Sequence, residues 1–525
     1  FKQEGHRIEI EGDPEDAESL KLVYRGVVYN EMKGAMSSPN QVMVRSILNA
    51  LYPETTYSYN SGGDPVVIPR LTHNQLKSFH QRHYHPSNAF FYTYGNLPLI
   101  DHLKFINDKI LKHFKRIDPG TDVPSQPRWN HPQKKQYTYP LDKNEDPSKK
   151  CQACVAWLTA DIKDAFEVLI LTLLERILLG NPASPLRKAL IDSNIGSSLS
   201  DGTGFDADNR DTMFVCGLKD VTISDASKIE TIIFDVLKDL SEKGIDKKII
   251  ESAIHQLEFH HKEITNTPYP YGIKLLLNFA GSWFHGGDPE NILRFDEDLK
   301  RLRNEIEKGT FFENRINTYF LDNPHRVLLT LVPDQVMEEK EGERVEKELD
   351  GILADTTPSE IEKISADTKA LKQLQEKIED ISCLPTLALD DIPPSVQRVE
   401  ASASYSTIPA TCYSRPTSGI FYFAAVAGSG LLPKERIPLV PFFCYAFTKI
   451  GTALHDYVEM ARRMDAHTGG MSLSCHARTG FEGSAECLPF VAFNGKCLVR
   501  NQDKMFGIIE EFFYNFDFSD LIRLK

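Results

Sequence analysis

An order of predicted elements that occurs twice constrains the fold of these 525 residues more than any other feature. From Cys151 the patterns predict a strand, a long helix, a loop leading into a strand, a third strand and a second long helix. The same order recurs from Gly419, starting with the strand GIFYFAAVAG and ending with the helix QDKMFGIIEEFFYNF. We therefore predict an α+β protein that contains repeated two-layer α/β domains.

The segments between and before these units differ in composition. Residues 333–400 are highly charged and hold two amphipathic patterns separated by DTTP, which predicts a helical hairpin that acts as a hinge or spacer. Residues 118–150 contain six prolines and many charges, which favours a linker. The expected division is 1–117, the linker 118–150, an α/β domain at 151–332, the hairpin 333–400 and a truncated α/β domain at 401–525.

Composition excludes several classes of protein. The net charge of −14 argues against nucleic-acid binding and is compatible with cationic substrates. Nine cysteines over this length are typical of reduced thiols in an intracellular protein. The longest apolar run, Phe166–Gly180, carries Glu175 and Arg176, so no membrane insertion is expected. The sequence starts with Phe1 and shows no terminal signal, and we expect both ends to be cut.

A single carboxylate interrupts an apolar helical pattern near the start. In Tyr24–Gln41, Val28, Met32 and Met36 fall at helical spacing, and Glu31 shares or borders their face. A buried carboxylate needs a partner, because an isolated charge costs several kcal/mol to desolvate. That partner is either a nearby Lys or Arg or a metal ion.

Several further elements are predicted in the first 117 residues. Ser38 and Pro39 begin a second helix, and Thr72–Gln75 is a capping-box sequence that begins a third. The pattern NAFFYTYGN, residues 88–96, predicts a strand, and Leu99–Phe114 predicts an amphipathic helix.

Other candidate sites favour structural roles. Two histidine clusters, His80, His83 and His85 and then His255, His260 and His261, have neither the HExxH nor the HxxEH order of a zinc helix. Cys151 and Cys154 form one CxxC within a strand pattern, where packing is expected. The glycines of 61–65 and 468–470 lack a phosphate-loop context and predict turns or close approaches.

Long blocks of the chain resemble one known family. The blocks are GVVYNEMKGAM, TYSYNSGGDPVVIPRLTHNQLKSFHQRHYHPSNAFFYTYGN, SPLRKALIDS, SCLPTLALDDI and LHDYVEMARRMDAHTGGMSLSCH. They resemble the pitrilysin-type inverzincins, zinc metalloendopeptidases with an HxxEH motif, over essentially the whole chain. The resemblance implies four related α/β domains in two halves, joined by a helical hairpin and closing around a peptide-sized chamber. Residues 1–117 would be the remainder of the catalytic domain.

The resemblance also implies a role for Glu31. In this family the glutamate of the matching block is the third zinc ligand, while two histidines and the catalytic glutamate lie on an upstream HxxEH helix. Three protein ligands leave a position for water, whose proton the HxxEH glutamate accepts. The 525 residues contain no HxxEH or HExxH, so these groups are expected upstream of Phe1 and no catalytic residue within the chain. We expect the chain alone to be an inactive fragment that also lacks the C-terminal domain.

Substrate, cofactor and location follow from the same resemblance. It implies one Zn²⁺ per full-length chain, a monomer, and unstructured peptide substrates such as cleaved mitochondrial targeting presequences in the mitochondrial matrix. Such peptides would add to a sheet edge through main-chain hydrogen bonds. Cys383 matches a position that in some relatives can pair with a first-domain cysteine, although a free thiol is the simpler interpretation. The alternative is a non-catalytic pitrilysin-fold subunit that binds peptides or has a structural role, and the presence of Glu31 favours the enzyme.

Overall fold

The computed structural model describes residues 4–12, 19–378, 380–396, 398–407, 409–479 and 487–524. Gly480, the end of a predicted loop and strand, lies outside the described residues. The chain forms two compact units. One comprises Phe1–Glu31 with Glu341–Gly419, and the other comprises Met32–Lys340 with Ile420–Lys525.

Strands and helices of the described residues are numbered in chain order. The strands are β1 Arg7–Glu11, β2 Lys21–Arg25, β3 Gln133–Pro140, β4 Cys151–Asp161, β5 Ser198–Leu199, β6 Gly204–Asp206, β7 Asp211–Val221, β8 Arg326–Asp334, β9 Ala403–Tyr405, β10 Ala410–Cys412, β11 Ile420–Gly428, β12 Gly470–Thr479 and β13 Cys487–Leu498. The α-helices are α1 Val27–Ala35, α2 Pro39–Leu51, α3 His73–His83, α4 Leu99–Lys109, α5 Ala165–Leu179, α6 Pro185–Asp192, α7 Ala226–Lys243, α8 Lys247–Lys262, α9 Tyr271–Phe284, α10 Pro289–Leu293, α11 Phe295–Glu307, α12 Phe311–Ile316, α13 Met337–Asp355, α14 Pro358–Glu376, α15 Val440–Ala446, α16 Tyr457–His467, α17 Gln502–Asn515 and α18 Leu521–Leu524.

In the smaller unit, an antiparallel hairpin of β1 and β2 accompanies the two charged helices α13 and α14. Both helices were predicted, and α14 begins at a capping box formed by Thr357 and Glu360. The Tyr24 hydroxyl on β2 donates a 3.3 Å hydrogen bond to Glu348 on α13, beside the buried Leu349. The apolar stripe of α13 is therefore packed at this point, as its spacing indicated.

The larger unit contains a six-stranded sheet, called sheet I, in the order β3-β8-β4-β7-β5, with β6 also paired to β7. β3 and β8 are parallel, and the other neighbours are antiparallel. β3 lies inside the segment that the sequence favoured as a linker. It is an edge strand in which Tyr137 and Tyr139 face a core, and the lysines that precede them, Lys134 and Lys135, hid the alternating pattern.

The central strand β4 is buried on both faces and separates two hydrophobic cores. On one face lie α5, α7, α8 and neighbouring helices, with Trp157 and Phe214 among the side chains packed between them. On the other face lies α2, through Met43 and Leu51. Cys151 belongs to the first core and Cys154 to a core on the opposite face, so the CxxC sequence is packing within a strand.

The second sheet, sheet II, has the order β11-β13-β12 with antiparallel pairing. In this sheet β13 lies between β11 and β12, so the last strand along the chain pairs with both earlier ones. In sheet I, β7 lies between β4 and β5 in the same way. Helices α15, α16 and α17 contribute to its core, which includes Phe447, Met460, Phe493 and Phe512. The structure thus confirms the repeated order predicted from the sequence.

The predicted strand at residues 88–96 is not formed. Asn88 ends a 3-10 turn, and the residues after it pair with no strand among the described residues. Instead the segment packs on α9: the ring of Phe90 lies 4.6 Å from that of Trp283, and the Tyr92 hydroxyl donates a 2.9 Å hydrogen bond to the carbonyl of Gly272. A β-pattern becomes a strand only when a partner strand satisfies its backbone.

The two sheets meet where α8 of sheet I packs against α16 and the start of β12. Phe259 on α8 is fully buried with Ile420 and Leu498 of sheet II. A Cβ atom on Gly469 would overlap the Phe259 ring, so glycine is required here by close approach, as predicted. The side-chain amide of Gln256 also donates a 2.7 Å hydrogen bond to the Thr468 carbonyl.

Two ion pairs reinforce this junction. Arg500 donates two hydrogen bonds, of 2.9 and 2.7 Å, to the Glu258 carboxylate, and Lys496 donates bonds of 2.7 and 2.9 Å to Glu263. The Arg500 pair is the main cause that lowers the pKa of Glu258 to about 2. Helix α8 is therefore fixed to sheet II by both apolar and charged contacts.

We predict acid-sensitive stability from His325, which is fully buried at the start of the β8 region. Its Nδ1 accepts a 3.2 Å bond from the Trp129 backbone, so Nε2 donates to the Leu51 carbonyl at 2.9 Å. Burial lowers its pKa to about 4. Since an unfolded histidine has a pKa of about 6.5, the unfolded chain takes up a proton that the folded chain rejects, and stability falls as pH drops from about 6.5 to about 4.

Urea denaturation across that pH range measures the effect. His325→Gln should reduce the pH slope by up to about 1.4 kcal/mol per pH unit, because one titrating group is removed. A residual slope should remain, because the pKa of His255 is also lowered to about 4 by burial. The exposed His131, changed to Gln, is the control and should leave the slope unchanged. Equal slopes in all three proteins would contradict the prediction.

We further predict that Gly469→Ala destabilises the junction of the two sheets. The new methyl group would overlap the fully buried Phe259 ring, and overpacking of this kind costs about 1–3 kcal/mol. Gly507→Ala on α17 is the matched control: nothing lies within 4 Å of its Cβ position, and the change should stabilise by about 0.5–1 kcal/mol. Thermal and urea unfolding measure both variants, and equal stabilities would refute the close approach.

Candidate functional site

Glu31 lies on helix α1, and its side chain is exposed. The residue of α1 that is buried is Tyr29, whose ring meets that of Tyr24 edge-on at 5.8 Å, whereas Val28 is only half-buried. Glu31 therefore does not share a buried face of α1, and of the two alternatives only the bordering position agrees with its exposure. The side chains of α1 that pack against other residues cover a narrower face than the spacing of its apolar residues predicts, and Glu31 lies outside that face.

The Glu31 carboxylate makes no hydrogen bond or ion pair with any residue that the structure describes. Its oxygen atoms are therefore available to a ligand. Within the same described ranges, no group of three His, Cys, Asp or Glu side chains could hold a metal ion. Glu31 could thus contribute a single ligand, and its zinc-binding role stays a prediction.

A glycine-containing loop contacts the C-terminal half of α1 and the middle of α2. Asn60 donates a 3.3 Å bond to the sulfur of Met32, and a Cβ atom on Gly62 would overlap the same side chain. Asp64 pairs with Arg45 of α2 at 3.1 Å. The predicted turn and close approach at 61–65 are both present, and they fix the helix segment that directly follows Glu31.

The first histidine cluster is occupied by local contacts. The His80 ring stacks on Tyr84 at 4.4 Å, and the His83 ring lies 4.5 Å from that of Phe79. The Nδ1 atom of His85 accepts a 3.1 Å hydrogen bond from the backbone two residues later. These are contacts of a helix end, as the sequence favoured.

The second cluster separates into two kinds of histidine. His260 bonds through Nδ1 to the Gln256 carbonyl at 2.7 Å, and His261 stacks on Phe295 at 4.0 Å. His255 differs, because its side chain is 94% buried and its Nε2 atom has no hydrogen-bond partner. Burial lowers the pKa of His255 to about 4. Sequence analysis did not distinguish this residue from its two neighbours in the cluster.

His255 lines a cavity of about 820 Å³ between helices of sheet I and helix α16 of sheet II. Its walls carry six basic side chains and four acidic ones. The basic side chains are Arg176, Lys248, Arg303, Arg462, Arg463 and Arg500. Glu258 and Glu511 pair with two of these basic side chains, Arg500 and Arg463, so the charges around the cavity balance. The cavity is therefore polar, unlike a hydrophobic ligand pocket.

Glu258, which the sequence places with the second histidine cluster, is a buried carboxylate that pairs with Arg500 of the cavity wall. Glu258 follows Ile250 and Ile254 at four-residue intervals along α8, so it occupies an apolar stripe. The same signal was used for Glu31. At Glu258 it leads to an ion pair between a buried carboxylate and the exposed Arg500, and a basic partner was one of the two alternatives considered for Glu31.

Two family models match the chain. Residues 70–257 match the inactive domain of peptidase family M16. Residues 331–525 match the domain associated with subfamily C of the same peptidases. The first match covers most of sheet I, and the second covers α13, α14 and sheet II.

Curated relatives match along the whole chain. The mitochondrial presequence proteases of Xenopus laevis and Mus musculus are 38% and 34% identical to it, each covering 100% of this chain and 51% of the relative. Protein HypA of Clostridium perfringens is 30% identical, covering 100% of this chain and 53% of that protein. The chain spans about half the length of these relatives.

Among solved structures, pitrilysin matches 94% of this chain and 50% of its own, with 15% identity and a TM-score of 0.43. The family assignment rests on the sequence matches, which extend from one end of the chain to the other. On those matches, the chain is similar along its whole length to the presequence proteases and, in two long segments, to domains of the M16 peptidases.

Proposed function

We propose that this chain is the central part of a zinc metalloendopeptidase that degrades short unstructured peptides. The observation that carries the proposal is 38% identity over the entire chain to a mitochondrial presequence protease. Cleaved mitochondrial targeting presequences are the proposed substrates, and the mitochondrial matrix the proposed location. Within the described residues, no helix is long and apolar enough to cross a membrane.

One residue of the chain fits the metal that this function requires. Glu31 is exposed, lies on a helix and presents a carboxylate without a partner among the described residues, so its oxygen atoms are accessible to a metal ion. Two further ligands and a general base would come from outside the described residues. Zinc, when bound, would polarise the scissile carbonyl and lower the pKa of bound water. Glu31 would supply negative charge and position.

An exposed apolar surface supports the proposal that residues 1–117 belong to a larger catalytic domain. Helices α3 and α4 have no buried side chain among the described residues, although both present large apolar groups, including Phe79, Leu103 and Phe105. Apolar patches of this extent mark interaction surfaces. We propose that the rest of the catalytic domain covers them in the full-length protein.

The charge of the chain fits basic peptides. Its net charge of −14 attracts cationic chains and raises their encounter rate at low ionic strength. Binding through main-chain hydrogen bonds at a sheet edge would tolerate diverse sequences, and a closed chamber would exclude folded proteins.

The test is Glu31→Gln in the full-length protein. Glutamine keeps the shape of the side chain but removes its charge, so zinc content should fall from one per chain towards zero. Cleavage of a basic unstructured peptide should fall by at least about a hundredfold, with the fold unchanged by circular dichroism. Metal content is measured by mass spectrometry and cleavage by peptide mapping.

Glu343→Gln is the matched control, because Glu343 is likewise exposed and lies on helix α13. It should leave both zinc content and cleavage unchanged. Unchanged zinc content in Glu31→Gln would refute the ligand role. A full-length protein that binds peptides but holds no zinc and cleaves nothing would instead establish the non-catalytic alternative.

A further inference from the structure

We propose that Cys444 and Cys475 are joined in a reversible disulfide when the protein meets a peroxide, and that this bond ties helix α15 to strand β12. Both are free thiols in the structure, with Cys444 half-buried and Cys475 exposed. Disulfides inside cells are mostly transient and redox-sensing, so a reduced pair of this kind suits such a role. The pair is separate from Glu31 and from Cys383, and it does not depend on peptidase activity.

The two side chains come together through the packing of α15 on sheet II. Along β12, Met471 and Leu473 pack into the core of this sheet. Because side chains alternate along a strand, Cys475 points to the same face as these two residues. Cys444 of α15 also packs against that core, and α15 contacts β12. The two cysteines therefore face each other across the boundary between helix and strand.

The two thiol groups interact directly, because the Cys444 thiol is hydrogen-bonded to that of Cys475. A disulfide brings its sulfur atoms to about 2.0 Å, and side chains that already touch can reach this separation mainly by rotating about their Cα–Cβ bonds. Cys154 and Cys216 also interact with each other, but both are buried in the cores of sheet I, where an oxidant has no access.

The surroundings of the two thiols assign them different roles. Cys475 is exposed on β12, an edge strand of sheet II, so an oxidant in solution reaches its sulfur atom. Burial is the main cause that raises the pKa of Cys444 to about 11, so this thiol stays protonated at neutral pH. Since the thiolate is the form that attacks a peroxide, Cys475 reacts first and Cys444 is the resolving thiol.

The reaction consumes one hydrogen peroxide for each disulfide. The Cys475 thiolate attacks one peroxide oxygen, the O–O bond breaks, and a sulfenic acid and a first water are formed. The Cys444 sulfur then attacks the sulfur of the sulfenic acid, so that the S–S bond forms, the S–O bond breaks and a second water leaves. Two electrons pass from sulfur to the peroxide, and both thiol protons end in water. A dithiol reductant reverses the reaction through a mixed disulfide.

The disulfide would close a loop that contains the junction of the two sheets. The residues between Cys444 and Cys475 include all of α16, together with Thr468 and Gly469, which contact α8. A cross-link that closes a loop of about 30 residues restricts the unfolded chain and thereby stabilises the fold. Oxidation would therefore hold α16 and the junction more firmly than in the reduced protein.

The experiment treats the full-length protein with hydrogen peroxide, alkylates the remaining thiols and locates disulfides by non-reducing peptide mapping with mass spectrometry. We expect one pair of peptides joined through Cys444 and Cys475. The thermal midpoint should rise by at least about 3 °C above that of the reduced protein, because the cross-link stabilises the fold. Dithiothreitol should reverse both changes.

Cys475→Ser should lose the joined peptides and the rise in midpoint, and because Cys475 is exposed this variant keeps the fold. Cys412→Ser is the matched control, since Cys412 is likewise an exposed thiol on a strand, and it should behave as the unchanged protein. The proposal is overturned if Cys475 is recovered alkylated, as a sulfinic acid or joined to a different cysteine. A joined pair without a rise in midpoint, or a rise that persists in Cys475→Ser, would refute the stabilising role.

Discussion

The double-sided burial of strand β4 is the constraint on which the larger unit depends. Every residue from Cys151 to Ala160 is buried, so each backbone amide and carbonyl of this stretch must be satisfied inside the protein. β7 and β8 provide that pairing on its two sides. Apolar side chains on both faces then require a layer above and a layer below, which explains why α5 packs on one face and α2 on the other.

The same requirement shows where prediction from sequence succeeds. The repeated order was predictable because each of its elements carries its own signal: a continuous apolar run for β4, and helical spacing with a Gly after the last turn for α7. The capping box at Thr72 worked for a similar reason, since its two hydrogen bonds join residues three apart. Local patterns specify local structure, and these elements form as predicted.

Pairing and burial depend on residues far apart in sequence, and predictions of these two properties fail at several elements. The segment 88–96 has the composition of a strand, yet it packs on α9 without forming one, because no described strand lies beside it. β3 has a charged pattern that does not predict a strand, yet it forms one because β8, almost 200 residues later, pairs with it in parallel. Glu31 and Glu258 both interrupt apolar helical spacing, but only Glu258 is buried, since α8 is packed by sheet II. A periodic pattern identifies a face and does not state how wide the packed face is.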